Sequence, residues 1–309
     1  MRTALSAALV EAASLDDRVV VLTGDHGYAL FDEFRSEHPD RFVNAGIAEQ
    51  NMVGMAAGMA RAGLRPIVYG LSAFIPVRVL EQIKLDIAHD GLPVVLLGDG
   101  AGFVYSQLGA SHQSLEDIAC TRAIPGLTVL SPCDRFEMTT AMRLAVGSEG
   151  PVYVRIGKAD LGDVHPGPTE FGAGDLLEVR TTPGRGLSFI ATGSMVTTAI
   201  DVADEHFPGA SVWSAPSIKP LDRATIERIA ASSDAIVVLE EHSTIGGLGS
   251  AVAEILSIDT RTPVLRIGSD DRFSHTCGSY AHLRREHGLD PDSVRRRIEE
   301  LLDRIDRRR

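Results

Sequence analysis

Short aliphatic and β-branched runs alternate with helix-length stretches of apolar periodicity along almost all of the 309 residues, and this alternation is the strongest constraint on the fold. Two parallel strands cannot be joined by a tight turn; they need a crossover of a dozen or more residues, and the helical patterns supply it. The chain is therefore predicted to be α/β, with mostly parallel sheets covered by helices. Strands are expected at Arg18–Thr23, Phe42–Asn44, Pro66–Tyr69, Pro93–Leu97, Thr128–Leu130 and Val152–Ile156. Helices are expected at Ala48–Ala62, Val77–His89, Leu115–Arg122 and Arg135–Val146, with an exposed segment around Phe31–Arg41. Between Lys158 and Asp175 the periodicity disappears, and Gly162, Pro166, Gly167, Pro168, Gly172 and Gly174 mark a linker. A second pattern then places strands at Leu187–Ala191, Ser211–Trp213, Ala235–Glu240 and Val264–Ile267. Its helices fall at Val196–His206, Asp222–Ala231, Gly249–Leu256, Tyr280–Glu286 and Pro291–Arg307. The expectation is two open α/β domains, 1–160 and 186–309, joined by a linker over 161–185.

Charge narrows the function. Thirty Lys and Arg stand against 42 Asp and Glu, a net −12 that repels phosphate backbones and anionic lipid. A small-molecule substrate is expected, with neither a nucleic acid nor a membrane as partner. The three cysteines, Cys120, Cys133 and Cys277, are widely spaced and form no CxxC, which points to reduced thiols in a cytoplasm and to no zinc finger. The N-terminal stretch Met1–Glu11 reads as an amphipathic helix without a signal-peptide pattern, and no uncharged apolar run reaches the roughly 18 residues of a membrane span.

The segment Asn44-Ala45-Gly46-Ile47-Ala48-Glu49-Gln50 places a carboxylate in the first turn of a helix that is otherwise apolar and small. A first-turn acid favours the helix dipole, which is one explanation for Glu49. The other is functional: a buried carboxylate needs a donor to pair with or a basic nitrogen to serve. Downstream, Gly54, Ala56, Ala57, Gly58 and Ala60 strip bulk from the helix and allow another backbone to approach, as at a subunit interface.

Four segments in order carry a resemblance: Gly46-Ile47-Ala48-Glu49-Gln50, Ser72-Ala73-Phe74, Gly109-Ala110-Ser111-His112-Gln113-Ser114-Leu115-Glu116-Asp117, and Pro125-Gly126-Leu127-Thr128-Val129. Together they resemble the pyrimidine-binding domain of the transketolase family of thiamine-diphosphate enzymes. The second half is similar to the family's C-terminal domain through Glu240-Glu241-His242, Gly246-Gly247-Leu248-Gly249-Ser250 and Gly268-Ser269-Asp270-Asp271-Arg272-Phe273. The resemblance implies that Glu49 is the carboxyl group that hydrogen-bonds the cofactor's aminopyrimidine and promotes proton removal from its reactive carbon. It implies that Phe74 is the aromatic surface on which that ring stacks, and that His112 faces the substrate and relays protons near neutral pH. Asp25, with its neighbour His26, matches the family's strand-end acidic position near cofactor and substrate. Lys158 stands where sugar-phosphate members carry an arginine for the substrate phosphate, keeping the charge without the bidentate fork.

What the chain lacks matters as much. The family's diphosphate-binding half carries Gly-Asp-Gly followed roughly 25–30 residues later by an Asn that helps hold Mg²⁺. Gly98-Asp99-Gly100 imitates its start, but the only asparagines, Asn44 and Asn51, precede it. The resemblance therefore implies a split enzyme: a separate subunit holds Mg²⁺ and the diphosphate, this chain binds no metal, and the assembly is α₂β₂. The substrate is then a ketose or 2-oxo donor with an aldehyde acceptor. Leu108 and Gly100 stand where sugar-transferring members have an Asp and a His, which weakens the match to an ordinary sugar phosphate.

Other readings compete. The β subunit of a 2-oxo-acid dehydrogenase E1 component shares the architecture but would pass its acyl group to a lipoyl domain; a non-catalytic regulatory subunit is a further alternative. A dinucleotide site at Gly247-Leu248-Gly249 fails at Val252, where the third glycine belongs. His275, Cys277, His282 and His287 fit no common zinc spacing.

Overall fold

The computed structural model describes residues 1–182, 184, 186–258 and 261–307. Among the described residues, twelve strands form two sheets. The first six are β1 (Val19–Thr23), β2 (Phe42–Asn44), β3 (Arg65–Leu71), β4 (Val95–Asp99), β5 (Thr128–Leu130) and β6 (Val152–Ile156). The others are β7 (Leu177–Arg180), β8 (Leu187–Ala191), β9 (Ser211–Ser214), β10 (Ser217–Lys219), β11 (Ala235–Ser243) and β12 (Val264–Ser269). The sheet orders are β10-β5-β6-β4-β3-β1-β2 and β12-β11-β8-β9-β7. All pairings are parallel except those of β10 with β5 and β7 with β9 at the edges. β1, β4, β6 and β8 are buried at every position, as expected of strands with helices on both faces.

Four features were not predicted. A short helix, Asp32–Glu37, lies in the segment read only as exposed. The expected helix at Val77–His89 changes winding: 3-10 at Val77–Val79, α at Leu80–Gln82 and π at Ile83–Ala88. β7 falls within the stretch read as linker and borders the second sheet. β10 leaves the second half to complete the first sheet against β5, so the halves share an edge.

The halves also share a core. Ile190, Ala215, Ile218, Ile226 and Val238 pack in one buried cluster with Val20, Leu22, Val68, Leu96 and Val129. Glu241, at the end of β11, ties the polar part of the junction. It accepts from Phe103 N at 2.6 Å and from Ser194 Oγ at 2.6 Å, and it also accepts from Tyr280 Oη. Gly102, at φ +71°, makes room for this carboxylate: a Cβ there would lie 2.2 Å from Glu241 Oε1. Beside it, Arg155 donates to Asp117 at 2.8 Å and to the Glu241 carbonyl at 2.8 Å, with both ionised side chains buried.

The Gly246-Gly247-Leu248-Gly249 turn opens the helix Leu248–Leu256. Glu240 fills that N-terminus, accepting from Leu248 N at 2.7 Å and Gly249 N at 2.9 Å. The backbone donors that would bind a phosphate there are thus occupied by the chain's own carboxylate.

Candidate active site

In an open α/β sheet, ligands bind beyond the carboxyl ends of the strands, where the strand order reverses. Here the reversal is at β1, which has β2 on one side and β3 on the other. The loops leaving β1, β2, β3 and β4 carry Asp25 and His26, Glu49, Phe74, and His112 respectively.

Glu49 is the first residue of the helix Glu49–Arg61 and is only 3% exposed. Its Oε2 accepts from Arg78 Nη1 at 2.9 Å, whereas its Oε1 is buried without a hydrogen-bond partner. Phe74 sits in the turn after β3, its N donating to Leu71 O at 2.8 Å. The Arg78 guanidinium lies over the Phe74 ring, 4.0 Å from the ring centre. His112 meets the same ring at 5.3 Å between centroids, inclined by 67°. Glu49, Phe74 and His112 thus form one connected group, with Arg78 as the bridge to Glu49. The sequence carried no sign of Arg78.

A buried polar layer holds Phe74 and His112 in place. Two residues before Phe74, Ser72 Oγ donates to Ser114 Oγ at 2.7 Å, two residues after His112. Tyr153 Oη reaches Ser72 Oγ at 3.2 Å and donates to Asp117 at 2.8 Å. Burial and then the Asp117 charge push the Tyr153 phenol well above its ordinary value, keeping it a neutral donor. The second half supports the His112 loop from outside: Ser274 Oγ donates to Gln113 Oε1 at 2.7 Å and also contacts His287 Nε2 at 2.9 Å. His112 Nδ1 lies 3.0 Å from Ser111 Oγ.

Asp25 and His26 lie on the loop after β1, in a cleft whose lining does not include Glu49, Phe74 or His112. Asp25 adopts φ +63°, a left-handed conformation that few non-glycine residues take. Its Oδ1 accepts from Tyr28 Oη at 3.1 Å and Asn44 Nδ2 at 3.4 Å, and His26 Nε2 is buried without a partner. Both residues line a cleft with Thr23, Phe42 and Asn44. The Lys158 ammonium pairs with Asp160 at 2.6 Å and lies 5.6 Å from the Tyr280 ring centre. None of its contacts reaches Glu49, Phe74 or His112.

Asp99, in the Gly-Asp-Gly that imitates a metal site, is committed to the fold. It accepts from Tyr69 Oη at 2.7 Å and Tyr105 Oη at 3.2 Å. Among the described residues, Cys133, Glu137 and His165 group closely enough to hold a metal. Glu137 already uses both oxygens, toward Cys133 N at 2.7 Å and His165 Nε2 at 2.8 Å, and burial pushes the Cys133 thiol up, away from a ligating thiolate.

Residues 1–163 match the model of the transketolase pyrimidine-binding domain, and residues 177–294 match that of the transketolase C-terminal domain. The chain belongs to the transketolase family. It is 36% identical over 299 residues to one subunit of the apulose-4-phosphate transketolase of Phocaeicola vulgatus, covering 95% of this chain and 94% of that protein. It is 34% identical over 300 residues to a 6-deoxy-6-sulfo-D-fructose transketolase subunit of Clostridium sp. strain MSTE9, covering 96% and 92%. Among solved structures, a split-gene transketolase described as an inactive β4 tetramer superposes with TM-score 0.87 at 33% identity, covering 97% of this chain and 96% of that one.

Transketolases depend on thiamine diphosphate. The pyrimidine end of that cofactor suits the residues present: a buried, unpartnered carboxylate oxygen on Glu49 for a ring nitrogen, and the Phe74 ring for a flat heteroaromatic. The metal–diphosphate end does not suit them, because Asp99 is engaged by two tyrosines and no asparagine follows it.

Proposed function

We propose that this chain is the pyrimidine-side subunit of a two-chain transketolase, which transfers a two-carbon ketol or acyl unit from a ketose or 2-oxo donor to an aldehyde acceptor. The observation that carries the reading is the group of Glu49, Phe74 and His112 at the carboxyl end of the first sheet, in a chain without the metal–diphosphate residues. The subunit names of two relatives at similar chain length support it. The bound cofactor supplies a nucleophilic carbon able to add to a donor carbonyl. Glu49 then holds a proton shared with the pyrimidine ring nitrogen through its free Oε1. Phe74 fixes the plane of that ring. His112 hydrogen-bonds substrate oxygens and moves protons to and from them, its loop steadied by the Ser72–Ser114 layer. Asp25 and His26 border the cofactor and substrate from the β1 loop, and Lys158 contributes a cation to anionic substrates.

The partner would supply the Mg²⁺ and diphosphate site, in an α₂β₂ assembly in the cytoplasm, where Cys120, Cys133 and Cys277 stay reduced. The exposed side of the Glu49–Arg61 helix supports such a contact. A Cβ at Gly54 or Gly58 would meet nothing within 4 Å, and Ile47 just before the helix is 76% exposed. Among the described residues no helix is long and apolar enough to cross a membrane. The test is turnover with a panel of ketose and 2-oxo donors, by this chain alone and after co-purification with a diphosphate-binding transketolase subunit from the same organism. Two-carbon transfer only in the mixture is expected; robust turnover by the single chain contradicts the split.

A further inference from the structure

Arg78 touches both parts of the proposed pyrimidine site at once. Its Nη1 donates to Glu49 Oε2 at 2.9 Å, and its guanidinium lies over the Phe74 ring at 4.0 Å. Its backbone is anchored to both neighbours as well: Arg78 N donates to Phe74 O at 3.0 Å, and Gln50 Nε2 donates to Arg78 O at 3.4 Å. Phe74 lies in the turn after β3 and Arg78 in the 3-10 segment Val77–Val79 that follows it, while Glu49 opens the neighbouring helix.

The two Glu49 oxygens differ. Oε2 is held by Arg78, while Oε1 is buried and open. A carboxylate with one oxygen tied is fixed in rotation, and its other oxygen is aimed. Were Arg78 absent, a nearly buried carboxylate would lose its donor and its preferred direction together. Lysine could keep the charge but not the flat contact with Phe74, since a guanidinium is planar and an ammonium is not.

We infer that Arg78 is a positioning residue for the cofactor: it clips Glu49 to Phe74 so that Oε1 faces the pyrimidine ring nitrogen at the height of the stacking surface. This rests on the assignment of Glu49 and Phe74 to the pyrimidine. The opposing possibility is that Arg78 merely fills the place of the ring and competes with it. The two make opposite predictions for affinity.

The experiment is calorimetric titration of thiamine diphosphate, at saturating Mg²⁺, into the co-purified two-chain complex carrying Arg78→Ala, Arg78→Gln or Arg78→Lys. Arg78→Ala is expected to weaken binding by about tenfold to a hundredfold, with Arg78→Lys recovering part of the loss. The loss should persist at high ionic strength, because the contact is local. Arg78 is 45% exposed at the side chain, so the variants should stay folded, with Arg78→Ala melting lower because Glu49 loses its donor; the Gln and Lys variants keep a donor within reach and separate that loss from the effect on binding. Tighter binding, unchanged binding, or a loss that vanishes in high salt overturns the positioning role. Glu49→Gln and Phe74→Ala serve as controls. If they weaken binding while the Arg78 variants do not, only the role of Arg78 fails; if they leave affinity unchanged, the site assignment itself fails.

Discussion

Glu49 opens a helix whose inward positions, Met52, Val53, Ala56 and Ala57, are apolar, and its nearly buried carboxylate takes its hydrogen bond from Arg78. Glu49→Gln preserves size and hydrogen-bonding capacity but removes the proton acceptor. Turnover of the two-chain complex should fall by about a hundredfold or more, with unchanged sedimentation; wild-type rates would remove Glu49 from the mechanism. Lys158 is a weaker assignment, because Asp160 already neutralises it. Lys158→Ala should raise KM for anionic substrates and leave neutral ones alone, and an equal effect on both counts against a substrate role. His165 offers a test independent of catalysis. Burial disfavours its charged form, but the hydrogen bond and charge of Glu137, aided by Asp134, outweigh that and raise it above the ordinary 6.5. A raised folded value stabilises the fold fully below the unfolded pKa, and that stability is lost as pH rises through the folded value. His165→Gln should therefore lower the urea midpoint most on the acid side of 6.5, and the difference should shrink in alkali. A gap that widens with pH would refute the pairing.

Among the elements, the Asp117–Arg155 pair links the His112 loop to β6 and to the second half. Both side chains are essentially inaccessible, so removing one strands the other. Asp117→Ala should cost about 3–5 kcal/mol in urea unfolding; a change below about 1 kcal/mol would show that water or a neighbouring acceptor replaces it. These polar junctions were invisible in the sequence. Phe103 and Glu241 are 138 residues apart, and nothing local in Glu240-Glu241-His242 announces a partner across the domain boundary. The buried parallel strands were legible, because an aliphatic run between helical patterns admits few other readings. β7 was not, since Leu177–Arg180 is an edge strand with two charged residues and incomplete burial. β10 is three residues between Pro216 and Pro220, too short to show alternation, and Asp32–Glu37 is too short to show helical period. In the candidate site, spaced motifs singled out Glu49, Phe74 and His112, and the structure links them through Arg78 and the Phe74 ring. Arg78 was not singled out, because a lone arginine after a turn looks like any solvated side chain.

For the whole molecule, the second half does more than follow the first. It supplies β10 to the first sheet, Glu241 to the Phe103 backbone and Ser274 to Gln113 beside His112. On the proposed function, such a chain would present the pyrimidine half of a cofactor site on a scaffold built from both halves and would leave the diphosphate half to another protein. The most direct measurement is a thiamine-diphosphate and Mg²⁺ titration of this chain, of a diphosphate-binding transketolase subunit from the same organism, and of their mixture. Binding that appears only in the mixture is the expected result. Tight binding by this chain alone would contradict the split site, because it would require a metal–diphosphate site that Asp99, bound to Tyr69 and Tyr105, does not provide.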